Sequence, residues 1–298
     1  MQNNLAHRNK QNKKILVTGG TGFIGKVVVS KLSKFCKVRI FARKKIQNKA
    51  AEVYVGDILR IGDLQTAMDN IDCIVHLAAL MQGNEKDIYA FNVNSTKVLV
   101  DMAVKKKIRK FIFLSSENAM WPEQNAYGES KKKCEELVKQ FPNYLILRST
   151  AVYGKGSKVI LGKILNYVKH GKFLLIPGDG KSLMQPIYVE DVSRYILNGI
   201  KYDIKGTYVI AGKSKISFNE FIDTASRVLK SKKIKVHVPL WLAYIMVFAL
   251  ELFLKSPPIK LSQLKNLNTD RIYKLDSTVK DFKYEPIALE DGIKMALG

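Results

Sequence analysis

Cysteine is scarce in this chain. Cys36, Cys73 and Cys134 are the only three in 298 residues and form no CxxC pair, which excludes a disulfide framework and a zinc ribbon and fits a reducing compartment. Acidic residues are also few, 26 against 50 basic ones, for a net charge of +24. Arginine is few in turn: nine of the fifty bases, although bidentate grips on bases and phosphates favour arginine over lysine. The basic excess is therefore read as lysine spread over a solvated surface, and no nucleic-acid partner is expected. Repeats and low-complexity tracts are absent, as is an apolar run of the ~20 residues that a membrane-spanning helix needs. Residues 1–12 are polar without an apolar core, so they are read as a disordered tail and not as a signal peptide, and the expected location is the cytoplasm. The four histidines show no ligand spacing, and no metal is expected.

What remains is ordinary globular material, 47% hydrophobic and 26% charged, enough for a real core. The first half alternates short apolar runs with amphipathic stretches, the pattern of βαβ units and a doubly wound parallel sheet covered on both faces. Strands are expected over 14–17, 38–42, 53–55, 73–77, 110–114 and 144–147, with helices over 23–34, 87–106 and 127–140. Glycine and proline become denser after Gly154, which suggests a division into a dinucleotide-type domain over 13–175 and a smaller α/β substrate lobe over 176–298. A helix near 189–201 is expected to return to the first domain, and further helices are expected over 217–230 and 285–296. Residues 240–250 are eleven apolar residues in a row, followed by Glu251 and three more. At that length the segment reads as a helix over a pocket or a subunit contact, with a peripheral membrane contact through 240–254, flanked by Lys255 and Lys260, as the alternative.

The first expected strand runs into Thr18-Gly19-Gly20-Thr21-Gly22-Phe23-Ile24-Gly25 and then into a helix. Gly19 permits the tight turn, Gly22 lets backbone approach a pyrophosphate, and Gly25 lets helix pack on strand, while the helix N-terminus offers unpaired N–H groups and a positive dipole end. The second strand ends at Ala42, where an acid would hold a ribose hydroxyl, and Arg43 and Lys44 follow. Two cations without a carboxylate suit a 2′-phosphate, so NADP is expected in preference to NAD. After the third strand, Asp57 can reach an adenine amine.

The fifth strand ends in Ser115-Ser116, and Tyr127-Gly128-Glu129-Ser130-Lys131 opens a helix. Four residues apart, Tyr127 and Lys131 share a helix face. A phenol is a poor base at neutral pH, but an adjacent ammonium favours its phenolate, so Tyr127 can exchange a proton with a hydroxyl or carbonyl that Ser116 holds by hydrogen bond.

By these motifs the chain resembles the extended short-chain dehydrogenase/reductase superfamily, in its NAD-dependent epimerase/dehydratase branch. Further matches are His76-Leu77-Ala78-Ala79, Leu147-Arg148-Ser149-Thr150 and Pro186-Ile187-Tyr188-Val189-Glu190-Asp191. The resemblance implies a Rossmann domain in which Gly19, Gly22, Phe23, Ile24, Gly25, Arg43, Asp57, Ile58 and Ala78 line the dinucleotide. It implies Ser116 as the polarising hydroxyl and Tyr127 as acid/base, with Lys131 lowering the tyrosine pKa and binding the nicotinamide ribose. Glu117, Asn118, Arg148, Thr150 and Gln185 are the substrate-side candidates. A homodimer through two helices of the first domain, one of them over 127–140, is also implied.

The serine and tyrosine are closer in sequence than in most relatives that epimerise or dehydrate sugar nucleotides, so an active-site loop is missing. The function expected is therefore an NAD(P)-dependent oxidoreductase, epimerase or dehydratase acting by hydride transfer on a nucleotide-activated sugar. The alternatives are a reductase of a lipid-like carbonyl, and a non-catalytic cofactor-binding scaffold serving as an RNA-binding or accessory subunit.

Overall fold

The computed structural model describes residues 13–122, 124–157, 160–254, 261, 264 and 269–298. The expected tail over 1–12, and Lys255 and Lys260, lie outside the described residues. The chain divides into two compact units: residues 1–150, 189–210 and 275–284 form the first, and residues 151–188, 211–274 and 285–298 the second.

In the first unit, β1 (Lys14–Thr18), α1 (Phe23–Leu32), β2 (Lys37–Ala42) and β3 (Glu52–Val55) are followed by α2 (Ile61–Ala67) and β4 (Cys73–His76). Then come α3 (Glu85–Lys105), β5 (Lys110–Ser116), a 3-10 turn (Glu117–Met120), α4 (Ala126–Val138) and β6 (Tyr144–Ser149). The apolar strands of the sequence pair in parallel, in the order β3-β2-β1-β4-β5-β6, extended by a seventh strand at residues 206–210. This is the doubly wound arrangement expected, with the strand order reversing between β1 and β4. Leu16, Ile74, Leu99, Phe111, Phe113 and Ile146 share one buried cluster beneath it, each side chain contributing about 1.5–3 kcal/mol by leaving water. Helix α3 begins two residues before the expected start because the Asn84 side chain caps it, accepting from the Lys86 N–H at 2.9 Å, with Glu85 and Asp87 in the first turn.

The second unit opens with β7 (Val152–Tyr153), α5 (Ile160–His170), β8 (Phe173–Pro177), β9 (Leu183–Met184) and β10 (Ile187–Tyr188). The chain then re-enters the first unit with α6 (Val189–Lys201), which packs on α1, and β11 (Gly206–Ile210), the seventh strand of the sheet. The second unit continues with β12 (Ile216–Ser217), α7 (Phe218–Val228), β13 (Ile234–Val238) and α8 (Leu240–Phe253). Finally α9 (Asp276–Phe282) belongs to the first unit and α10 (Leu289–Leu297) to the second. The last helix starts at Leu289 and not at 285, since Pro286 disfavours helical backbone at Glu285. The second unit has no wide sheet among its described residues: β7 pairs with β10, β9 with β12 and β8 with β13. Its core gathers on Tyr153, which stacks edge-on to Phe221, and a Cβ at Gly292 would stand 2.1 Å from the Tyr153 hydroxyl.

Candidate active site

The loop between β1 and α1 is built on glycine for two different reasons. Gly19 has φ +72°, and a Cβ there would lie 2.6 Å from the Ala78 nitrogen, so the turn is pressed against the chain leaving β4. A Cβ on Gly25 would stand 2.1 Å from the Gly19 carbonyl oxygen, so the first helical turn and the loop are in contact. Gly22 differs: its N–H donates to the Gly19 carbonyl at 3.0 Å, and a Cβ there would meet only that oxygen, at 3.3 Å. Gly22 is exposed, no side chain caps α1, and no acid occupies its first turn. An open backbone ledge ahead of the uncapped N–H groups of Phe23, Ile24 and Gly25 fits a pyrophosphate.

Arg43 and Lys44 follow β2 and are exposed. After β3, the Asp57 N–H donates to Asp63 Oδ2 at 2.8 Å and Asp57 Oδ1 accepts from the Leu59 N–H at 3.0 Å. Ile58 is buried beside it. The Ala78 N–H reaches Thr18 Oγ1 at 3.4 Å.

Thr18 also begins a buried polar chain. Its Oγ1 lies 2.6 Å from His76 Nδ1, His76 Nε2 lies 3.1 Å from Thr96 Oγ1, and that hydroxyl lies 3.1 Å from Cys134 Sγ. Asn92 continues it, donating to Ser130 Oγ at 2.9 Å. Burial, aided by the Lys131 charge, pushes the His76 imidazole down to about 3, so at neutral pH it is an uncharged packing group stacked on Phe113. The chain thereby ties β1 and β4 to α3 and α4.

Ser116 closes β5, and its Oγ accepts from the Asn118 N–H at 3.3 Å. Helix α4 starts under the cap of Asn125, which accepts from the Gly128 N–H at 2.9 Å. A Cβ on Gly128 would stand 2.8 Å from the Asn118 carbonyl, so only glycine lets this helix start against the 3-10 turn. Tyr127 and Lys131 follow on one face, with Lys131 Nζ 5.8 Å from the Tyr127 ring centroid. That ammonium is buried, 4.4 Å over the Phe113 ring, and donates to the Leu114 carbonyl at 2.8 Å. Burial holds it down at about 8, against the opposing influence of Cys134 and Glu135. The expected lowering of the Tyr127 pKa is not what the geometry gives: burial pushes the phenol up, and the ammonium is directed at a carbonyl of β5.

Glu135, one further turn along α4, is a residue the motif reading missed. It is buried and accepts from Ser115 Oγ at 2.6 Å and, at 2.6–3.2 Å, from Arg148 through Nε and Nη2. Ser115 and Arg148 are paired residues across β5 and β6. The sequence signal was present: Tyr127, Lys131 and Glu135 recur every four residues on one face. Arg148, expected toward substrate, is thus engaged by a carboxylate that raises its pKa. Thr150 is buried, with its N–H on the Ile210 carbonyl at 3.1 Å. Glu117 is buried in the 3-10 turn and Asn118 is half-buried. Gln185 lies in the second unit, where both ends of its amide hold backbone, Nε2 on the Gly212 carbonyl at 3.0 Å and Oε1 on the Tyr273 N–H at 2.6 Å.

Apart from Gln185, the predicted residues therefore lie at or after the C-terminal ends of six adjacent parallel strands, Arg148 being the next-to-last residue of β6. Among the described residues no group of three His, Cys, Asp or Glu is placed to hold a metal.

Comparison with known proteins gives three kinds of likeness. The family model described as the 3-beta hydroxysteroid dehydrogenase/isomerase family matches residues 16–214. A UDP-glucose 4-epimerase of Rickettsia conorii is 30% identical over 216 residues, 62% of this chain and 62% of that protein. The chain thus spans less than two thirds of the length of that relative. Among solved structures, UDP-glucose 4-epimerase from Thermotoga maritima, determined with UDP-glucose, superposes with a TM-score of 0.76 at 22% identity, covering 95% of this chain and 97% of the other. UDP-glucuronic acid 4-epimerase from Bacillus cereus, in complex with NAD, does so at 0.76 and 21%, with 95% and 97% coverage. At these identities the structural likeness shows the fold.

Proposed function

The chain belongs to the 3-beta hydroxysteroid dehydrogenase/isomerase family of extended short-chain dehydrogenases, and from that premise we propose that it is an NAD(P)-dependent epimerase acting on a nucleotide-activated sugar. The observation that carries the proposal is the common sheet edge: the uncapped α1 terminus with its open Gly22 ledge, and Ser116, Tyr127 and Lys131, lie at the ends of β1, β5 and α4 on either side of the point where strand order reverses.

In this reading Gly22, Phe23, Ile24 and Gly25 receive the pyrophosphate, Asp57 and Ile58 the adenine side, and Ala78 the chain between. A bound nicotinamide dinucleotide supplies the site that accepts and returns hydride. Tyr127 takes the proton of a sugar hydroxyl as its carbon becomes a carbonyl and gives it back on the return, Ser116 holds the same oxygen, and Lys131, one turn along α4, binds the nicotinamide ribose. Arg43 and Lys44 favour NADP over NAD through the 2′-phosphate. Association into a homodimer through the helices of the first unit belongs to the same reading.

The test is fluorescence titration with NADPH and NADH, followed by assay of UDP-glucose and UDP-galactose interconversion. Tyr127→Phe is expected to cut turnover about 10²–10⁴-fold while dinucleotide still binds. Arg43→Ala is expected to weaken NADPH about tenfold and leave NADH unchanged. A protein that binds neither dinucleotide, or a Tyr127→Phe variant with full turnover, overturns the proposal.

A second reading, a reductase of a lipid-like carbonyl, is favoured by one observation, the exposed apolar side chains of α8. A panel of hydrophobic ketones, run beside the UDP-sugars, separates the two.

A further inference from the structure

The strand β13 leaves two of its three apolar side chains in water. Its sequence, Ile234-Lys235-Val236-His237-Val238, is that of a half-buried strand, in which the apolar set should face a core. Instead Ile234 and Val236 are exposed, while Lys235 pairs with Asp223 at 2.7 Å and His237 lies 3.1 Å from Asn219. Both of those partners are on α7, so the polar side chains lean toward that helix, His237 remaining exposed, while Ile234 and Val236 face water and only Val238 packs inward, half-buried against the Ala243–Val247–Leu264 cluster. The parallel partner β8 does the same: Phe173 pairs with Ile234 and Leu175 with Val236, both exposed, whereas Leu174 and Ile176 are buried.

Through Pro239 this ribbon runs straight into α8, which is apolar almost throughout. Ala243 and Val247 pack against Leu264. Trp241, Ile245, Phe248 and Leu252, spaced by four, three and four residues, form an outward stripe with exposures of 65%, 57%, 54% and 66%. The helix's one charged side chain, Glu251, is held by the Leu261 N–H at 3.0 Å.

The surroundings are basic. No Asp or Glu occurs over 160–178 or 224–250, and eight Lys and Arg do. Because β8 and β13 run parallel, Lys169 and Lys172 before one, and Lys230 and Lys232 before the other, come to the same end of the ribbon, all exposed.

We propose that this face, the outer side of the β8–β13 ribbon together with the Trp241–Leu252 stripe, docks the chain on an anionic lipid bilayer. Charge selects the occupant. A second copy brings no carboxylate from residues 160–178 or 224–250 to answer the lysines, whereas anionic headgroups answer them while the acyl boundary takes up the apolar side chains. The mode is in-plane. At about 1.5 Å per residue α8 reaches about 21 Å, short of the ~30 Å hydrocarbon core, and among the described residues no helix is long and apolar enough to cross a membrane. A tryptophan at the head of the stripe suits the headgroup level. The proposal does not rest on the catalytic reading.

The experiment is sedimentation of the full chain with vesicles of equal phosphatidylglycerol and phosphatidylcholine, and with phosphatidylcholine alone, at 0.15 M salt. The expected result is binding to the first and at least about tenfold weaker binding to the second. Trp241→Asp with Phe248→Asp should weaken binding to the anionic vesicles about tenfold or more. Lys230→Gln with Lys232→Gln should weaken it several-fold and flatten its salt dependence. In a Trp121→Phe background, brominated acyl chains should quench Trp241. Equal binding to both vesicle types, no binding, unaltered binding by the aspartate pair, absence of quenching, or a dimer that the aspartate pair dissolves overturns the proposal. NADPH titration and melting of each variant establish that the first unit is intact, so a failure here is distinguishable from a failure of the proposed activity.

Discussion

Strands β5 and β13 are both parallel and both set among lysines, yet their surroundings differ in kind. In β5 every residue before Ser116 is buried, because β4 and β6 flank it and helices cover both faces. Even the lysine that opens it is buried, its Nζ on the Ile204 carbonyl at 2.8 Å and on Asp203 at 3.0 Å. In β13, with one neighbour, Ile234 and Val236 face out and the cation pairs sideways. The difference teaches that an apolar strand finds its core through the width of its sheet: a seven-stranded sheet presents two broad faces to helices, and a two-stranded ribbon leaves one open.

The comparison breaks first at Glu135 if it is wrong. Replacing Glu135 by Ala leaves the Arg148 guanidinium facing an emptied buried site, and we expect a loss of about 3 kcal/mol in urea unfolding. A loss below about 1 kcal/mol would show that the first unit does not depend on matched interior charge.

Lys131 gives the next largest effect, and it is pH-dependent. Burial holds it at about 8 against an ordinary 10.5. Below pH 8 folded and unfolded chains both carry the proton, and the folded one bears the cost of burying it. Between 8 and 10.5 the folded chain sheds the proton first, so the Lys131 contribution to stability rises with pH by about 3 kcal/mol across that window. Lys131→Met should remove that rise when the two proteins are unfolded in parallel; identical slopes would show the ammonium to be solvated.

The smallest effect sharpens the other side. Leu175→Ser, on the open face of the ribbon, should change stability by no more than about 0.5 kcal/mol. A loss near 2 kcal/mol would mean that the face is packed in the isolated chain.

Much of the first unit could be read without coordinates, since its strands are continuous apolar runs and its loop is marked by glycines whose contacts forbid a side chain. Ser116, Tyr127 and Lys131 came to one edge because parallel strands put all their C-terminal ends together. Other features carry too little local signal. The four-residue spacing from Tyr127 and Lys131 marks Glu135 as facing inward, but its pairing with Arg148 joins a helix to the strand after it, and nothing in the sequence names that partner. Gln185 looked like a substrate contact, but its amide is used to tie β-structure inside the second unit. The two-residue strands β7, β9, β10 and β12 are too short for a period, and the exposed apolar residues of β13 read identically to packed ones until their neighbours are known.

The order in which the chain visits its two units has a consequence for its synthesis. Phe282 is fully buried in the first unit, its ring meeting those of Tyr195 and Tyr208, and its carbonyl accepts from Asn198. On a ribosome, β1 through β6 emerge early, but this keystone arrives only after residues 151–188 and 211–274 of the other unit have been made. The growing sheet must therefore wait with one flank open, and a nascent chain arrested before α9 is the form in which chaperone capture and proteolysis should be most pronounced.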